Sequence, residues 1–320
     1  IPMKLLRLVP DNTRFGFMQF RRVSFPASAL LSILCVAAFL FLGMHVGIDF
    51  KGGTVVEMQS RGDRANIAQI RDAVSRLNLG EVEIQEFGSA RDVILRVGLQ
   101  EGGDAGQAQV VVKLRSAFEA AYEFRRVEVV GPRVSQELVQ NGTIGVLLAI
   151  MVILVYLWFR YEWQFAVGAV IATMHDLVLM IGFYAVTQIQ FDQTSIAAIL
   201  TIIGYSLNDT VVVYDRVREL LRKYKKIGLH ELLDLSMNST LPRTIITSIT
   251  AILALVALTV FGGDTIRGFC LAMLFGIVVG TYSSIFIAAP ILIYLGVRVG
   301  EGVGGTSGNA DKAANSGATA

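Results

Sequence analysis

Six apolar runs dominate this chain, each long enough to cross a hydrocarbon core of roughly 30 Å as a helix of about 20 residues. They lie at Val23–Met44, Gly142–Phe159, Phe165–Thr187, Thr194–Tyr214, Thr244–Phe261 and Gly268–Val297. The last is long enough to tilt or to end in an interfacial turn. Charged residues are 17% of the 320, against roughly 25% in soluble domains, so lipid rather than water is the solvent this fold must satisfy. The composition therefore predicts a polytopic α-helical membrane protein with six transmembrane helices. A formal net charge of +2 gives no bulk attraction for nucleic acid.

Local charge predicts orientation. Lys4, Arg7, Arg14, Arg21 and Arg22 precede the first run, and seven Lys or Arg residues from Arg216 to Arg243 separate the fourth from the fifth. Arg160 sits between the second and third runs, and Arg298 follows the sixth. With six crossings all of these fall on one side, so the positive-inside rule makes both termini cytoplasmic. The first run exceeds a signal-peptide core of about 7–15 residues and lacks a small-x-small cleavage site, so it reads as a retained signal anchor. Cys35 and Cys270 each lie inside an apolar run with no CxxC pair, which argues against a disulfide framework or a thiolate metal site. No cofactor is expected.

The polar stretch 46–141 must lie outside. Its periods alternate between two and 3.6 residues. Thr54–Gln59, Glu81–Phe87, Asp92–Val97 and Glu123–Val130 read as strands; Arg64–Leu77 and Gln107–Ala121 read as helices, with Glu101–Gly106 as a loop before the second. The order βαββαβ predicts a ferredoxin-like α+β domain. The expected organisation is residues 1–22 cytoplasmic, 23–45 the first span, 46–141 the external domain, 142–298 the remaining spans with a basic loop near 216–243, and 299–320 a disordered cytoplasmic tail of Gly, Ala, Ser, Asn and Thr.

Two acids interrupt the spans. Asp209 ends the run Gly204-Tyr-Ser-Leu-Asn-Asp209, and Asp176 follows His175 midway along the preceding one. A carboxylate at the centre of a bilayer costs roughly 2.5–3.5 kcal/mol on the more conservative scales, so something must offset it. One reading is a protonatable carrier; the other is polar glue between helices. Asp209 stacks one turn above Tyr205 and two above Thr201, with Asn208 and Ser206 nearby. These form a polar stripe suited to a face turned into a bundle. Arg243 at the membrane edge is either a snorkelling anchor or a counter-ion to a carboxylate. Ser239-Thr-Leu-Pro-Arg-Thr244 reads as a helix start, with a hydroxyl cap and Pro in the first turn. Thr244, Thr247, Ser248 and Thr250 either join a proton path or bond backbone. Ala272, Gly276, Gly280 and Ser284 form a small-residue ridge for close helix contact, inside one bundle or between two. The basic run Arg222–Lys226 suits a lipid-facing surface or a cytoplasmic partner.

Directly after the first span comes Gly47-Ile-Asp-Phe-Lys-Gly-Gly53. By itself it reads as a turn into a strand, since no helix and no Gly-Lys-Ser/Thr follow to cradle phosphate. Its Asp49, Phe50, Gly52 and Gly53 resemble the Asp-Phe-x-Gly-Gly signature of the SecD/SecF family, accessory subunits of the bacterial Sec translocase. The segment Gly204–Glu219 is similar to that family's fourth-span signature, and Asn238–Thr244 to its segment entering the fifth. The likeness runs from about Arg14 to Arg298, and one modest external domain with six spans favours the SecF branch.

The resemblance implies kinship to the RND class of proton-driven exporters and a role in late-stage export driven by the proton motive force. It implies a bacterial inner-membrane location with a periplasmic domain. The partners it implies are a SecD-like subunit, the SecY, SecE and SecG channel, YajC and the YidC insertase, the exported polypeptide and membrane lipids. Asp176, Asp209 and Arg243 are then candidates for proton coupling, supported by Thr201, Tyr205 and Asn208. A competing reading is an RND-like exporter of small molecules or lipids, but that architecture has about twice as many spans. An intramembrane aspartyl protease would need Asp215 to meet Asp264, which the topology puts on opposite sides of the membrane, roughly 30 Å apart. HExxH, GxSxG and Walker patterns are missing too, so no enzyme is expected.

Overall fold

In the computed structural model, residues 13–297 are described. Most of the expected N-terminal segment, Arg298 and the expected tail 299–320 lie outside them. A 3₁₀ turn at Phe17–Phe20 leads into the first membrane helix, α1 (Arg21–Leu42). A single helical turn, α2 (Ile48–Lys51), then precedes the sheet domain. That domain runs β1 (Gly53–Ser60), α3 (Ile67–Arg76), β2 (Val82–Phe87), β3 (Ser89–Val97), α4 (Gly103–Phe118) and β4 (Tyr122–Val130). The strands form one antiparallel sheet in the order β2-β3-β1-β4.

Alternation builds the domain's core. Val56 and Met58 of β1 and Val93, Leu95 and Val97 of β3 point to the face that the helices cover. Ile70 and Val74 of α3 and Val110, Leu114 and Phe118 of α4 fill that face at helical spacing. One polar pair is buried with them: Thr54 Oγ1 donates to Gln107 Oε1 at 2.9 Å. The expected loop 101–106 is shorter than its composition suggests. Gly102 adopts a left-handed conformation (φ 98°) and α4 begins at once behind it.

The remaining membrane helices are α5 (Pro132–Arg160), α6 (Trp163–Thr187), α7 (Gln193–Lys223), α8 (Leu229–Phe261) and α9 (Asp264–Ser283). A π-helical turn, Ser284–Ala288, joins α9 to a short α10 (Ala289–Tyr294). Among the described residues six helices are long and apolar enough to cross a membrane. α6, α7 and the α9 segment are central, whereas α1, α5 and α8 present most of their apolar window outward. This is a multi-pass membrane protein.

Three helices outrun their apolar stretches. α5 starts at Pro132, whose fixed φ suits a first helical position and whose missing N–H costs nothing there. α7 and α8 together absorb most of the expected basic loop, leaving 224–228 between them. The helix start expected at Ser239 is not one: Pro242 lies inside α8. Leu232, Leu233, Ser236, Met237, Thr240 and Leu241 are buried and carry one helical stripe through the proline from the N-terminal side. Thr240 Oγ1 lies 3.1 Å from the Ser236 carbonyl and 3.2 Å from that of Met237, binding its hydroxyl to the helix it sits on. Tertiary burial has outweighed the local stop signal.

The small-residue ridge lies within this bundle, between α9 and α7. A Cβ on Gly276 would collide with Ile202, and one on Gly280 would stand 2.9 Å from the Ser206 Cβ. The alternative of a contact between bundles falls away for these two positions. Gly276→Leu should therefore destabilise the protein by about 1–3 kcal/mol through overpacking. Gly145→Leu, at a site with no neighbour within 4 Å, should leave the unfolding temperature of the detergent-solubilised protein unchanged.

Candidate functional site

Asp176 sits where α6, α7 and α9 meet and is 2% exposed. Its Oδ2 accepts hydrogen bonds from Ser206 Oγ of α7 at 2.6 Å and from Ser283 Oγ of α9 at 2.8 Å. Its Oδ1 lies 3.2 Å from Nδ1 of His175, which puts the ring proton on Nδ1 whenever the acid is ionised. The far nitrogen of that ring, Nε2, is buried without a partner. This carboxyl group is thus enclosed, with hydroxyl donors drawn from two other helices.

Asp209 is equally buried, at 3% exposure, but differently provided. Its Oδ2 has no hydrogen-bond partner, and neither has the buried hydroxyl of Tyr205 one turn earlier. The charge it feels is that of Arg243 on α8. Arg243 itself is exposed on the outside of the bundle. The two acids share no hydrogen bond among the described residues. They are connected through α7, since Ser206, which holds Asp176, stands three residues before Asp209.

The polar stripe expected to face inward divides. Tyr205 is partly buried, but Thr201 and Asn208 lie on the exposed side of α7. Thr201 Oγ1 returns to its own helix, donating to the Ala197 carbonyl at 2.7 Å. On α8, Thr247 and Thr250 likewise bond backbone, whereas Ser248 reaches Thr281 of α9 at 2.9 Å. Asp215 and Arg216 do not pair with each other. Arg160 binds Asp215 through two contacts of 2.9 and 3.1 Å, and Arg216 binds Glu219 at 2.7 Å.

The motif after α1 is more than a turn into a strand. Asp49 Oδ2 accepts from the backbone N–H of Gln193, the first residue of α7, at 3.0 Å. Phe50 packs its ring 5.7 Å from that of Phe191. Gly47 donates to the Phe191 carbonyl at 2.8 Å, and Phe191 donates to the His45 carbonyl at 2.7 Å. Gly52 (φ 74°) and Gly53 (φ 133°) take conformations that side chains disfavour, and a Cβ on Gly53 would stand 2.5 Å from the Val97 carbonyl oxygen. The motif therefore clamps the sheet domain to the link between α6 and α7. Asp192 and Ser195 add a reciprocal capping box at the same helix start.

Sequence reasoning missed Ser283 and Gln193, whose roles depend on residues 107 and 144 positions away. Only the hydroxyls flanking the ridge hinted at Ser283. No group of three or more His, Cys, Asp and Glu among the described residues could hold a metal ion.

Residues 109–298 match the family model for the C-terminal part of the protein export membrane proteins SecD/SecF, and residues 37–62 match the SecD/SecF GG motif. The SecF translocase subunit of Rickettsia bellii is 44% identical over 292 residues, covering 90% of this chain and 95% of that protein. The SecDF subunit of Brucella abortus is 46% identical over 98% of this chain, which spans only 41% of it. The crystal structure of SecDF from Thermus thermophilus, a translocon-associated membrane protein, matches with a TM-score of 0.79 at 32% identity, over 89% of this chain and 39% of that one. A SecDF structure in a super-membrane-facing form matches over the same shares with a TM-score of 0.66, so the present conformation lies nearer the first. The chain belongs to the SecD/SecF family of protein-export membrane proteins.

Proposed function

We propose that this chain is a SecF-type accessory subunit of the Sec protein translocase, coupling proton flow across the bacterial inner membrane to late-stage polypeptide export. The observation that carries this reading is Asp209: a carboxyl group buried in a membrane helix, with one oxygen unpartnered and Arg243 as its neighbouring charge. Such a group is expensive in a bilayer and persists where it works. Taking up a proton cancels its attraction to Arg243, and releasing the proton restores it, so α7 and α8 have two electrostatic states. One charge moved across 100 mV supplies about 2.3 kcal/mol. That biases a two-state equilibrium roughly fifty-fold.

The clamp offers the route outward. Asp49 holds the first turn of α7, and Asp209 lies midway along the same rod, about 24 Å from that turn. A shift of α7 would reach the sheet domain through Gln193, Phe191 and the glycine pair. The sheet domain would then hold or release the emerging polypeptide on the periplasmic side, with both termini cytoplasmic. Asp176 takes the supporting part, fixing α7 against α6 and α9 through Ser206 and Ser283.

Thr201 and Asn208 on α7, with Arg243 and Thr250 on α8, are polar side chains left exposed along membrane helices. Lipid is a poor neighbour for them. A SecD-like six-span bundle covering this face would satisfy them, and the SecY, SecE and SecG channel, YajC and YidC complete the assembly that the family likeness implies. The SecF and SecDF names of the relatives favour this reading over an RND-like exporter of small molecules or lipids.

Three variants separate these roles in inner-membrane vesicles assayed for late-stage export with and without an imposed proton gradient. Asp209→Asn should reduce the gradient-driven rate to the gradient-free rate while the protein remains folded; a full gradient response in this variant would leave only a scaffold role. Asp176→Leu should instead lower thermal stability by roughly 1–3 kcal/mol, because the buried hydroxyls of Ser206 and Ser283 lose their shared acceptor. It should retain part of the gradient response, because its helices still bracket an intact Asp209. Asp49→Ala removes one cap from α7 at a cost of about 0.5–2 kcal/mol. Asp192 still caps the helix, so folding should survive while the gradient-driven rate falls and the gradient-free rate holds.

A further inference from the structure

The C-terminal end of α7 builds a basic recess that the export cycle does not use. Arg160, Asp215, Arg218, Glu219, Arg222 and Lys223 line a cavity of about 540 Å³ there. Both acids are already engaged: Asp215 by Arg160 and Glu219 by Arg216. Arg218, Arg222 and Lys223 have no carboxylate partner among the described residues, so three positive charges face one hollow uncompensated.

The floor of the hollow is fixed. Tyr161 is buried and donates to Asp215 Oδ1 at 3.0 Å. The guanidinium groups of Arg160 and Arg218 lie 4.9 and 5.4 Å from the centre of its ring. Arg218 is further held by a 3.4 Å contact to the Arg160 carbonyl, yet its Nε is buried with no acceptor. The fork of an arginine matches phosphate oxygens in pairs.

The surroundings select the anion. Trp158, Phe159 and Trp163 stand exposed beside Arg160, an aromatic belt of the kind that sits at headgroup level. From there the exposed apolar face of α5, through Val155 and Val152, continues towards the bilayer centre, where acyl chains would lie. We propose that this recess binds the phosphate headgroup of an anionic phospholipid, with the acyl chains lying along α5. The inference requires only that the chain crosses the membrane, so it stands or falls apart from the export reading.

The test titrates the detergent-solubilised full chain with short-chain phosphatidylglycerol and measures the dissociation constant. Parallel arms use short-chain phosphatidylcholine, inorganic phosphate and polyglutamate. Arg222 and Lys223 are exposed, so Arg222→Gln/Lys223→Gln should fold normally, which its unfolding temperature without lipid checks. Lys225→Gln/Lys226→Gln removes the same charge just outside the recess. Phosphatidylglycerol should bind and phosphatidylcholine should not; the recess variant should bind roughly thirtyfold more weakly, the expected loss for two basic contacts near a membrane surface. The outer variant should be little changed. Equal losses in both variants would reduce the recess to diffuse attraction and overturn the proposal. So would phosphate or polyglutamate binding as tightly as the lipid with the same dependence on Arg222 and Lys223.

Discussion

A carboxyl group in a bilayer must find its hydrogen bonds within the protein, and the membrane half of this chain is arranged around that demand at Asp176. One oxygen collects Ser206 from α7 and Ser283 from α9, while the acid itself belongs to α6. Three helices are thereby tied at a single atom. The small-residue ridge makes the tie possible. Because Gly280 carries no side chain, α9 approaches Ser206 closely enough for both serines to reach the same oxygen. Packing and polar satisfaction are one device here, since a larger residue at the ridge would separate the helices and strand the acid.

α7 is the element on which the rest converges. Its first turn is held by the motif after α1, its middle by Asp176 and its end by Arg160 through Asp215. Between these fixed points lies Asp209, the buried acid whose Oδ2 the chain leaves without a partner. A rod held at three points and left unsatisfied at one is suited to respond at that point.

Much of this was legible in the sequence because it depends on neighbours within a few residues. Apolar runs locate the spans, and periods of two and 3.6 locate the elements of the sheet domain. Local signals failed where distant burial outweighed them. Pro242 looks like a helix start until Leu232, Leu233 and Met237 are seen buried upstream of it. The site was half legible. Asp176 and Asp209 look alike in sequence, as acids in apolar runs. Their difference lies in Ser283, 107 residues from Asp176, and in which face of α7 meets α9. The spacing of Thr201 and Asn208 predicts an inward stripe, yet a helix cannot turn Ser206, Asp209 and all its other polar residues to one side at once.

The π-helical turn at Ser284–Ala288 has a consequence for how this family can vary in length. Pro290 has no N–H for the Phe286 carbonyl, and Ser24 of α1 donates to that oxygen at 3.3 Å; Tyr214 of α7 donates to the Ala288 carbonyl at 2.9 Å. The turn therefore houses one more residue than an α-helix would, with neighbouring helices serving its exposed carbonyls. Deleting a single residue there would not simply shorten the helix. It would restore α-helical winding with α10 facing nearly the same way, because the wider π turn already absorbs the extra residue. Chain length in this stretch can therefore differ by one residue without turning the buried face of α10 outward; what depends on the extra residue is the pair of freed carbonyls that Ser24 and Tyr214 serve.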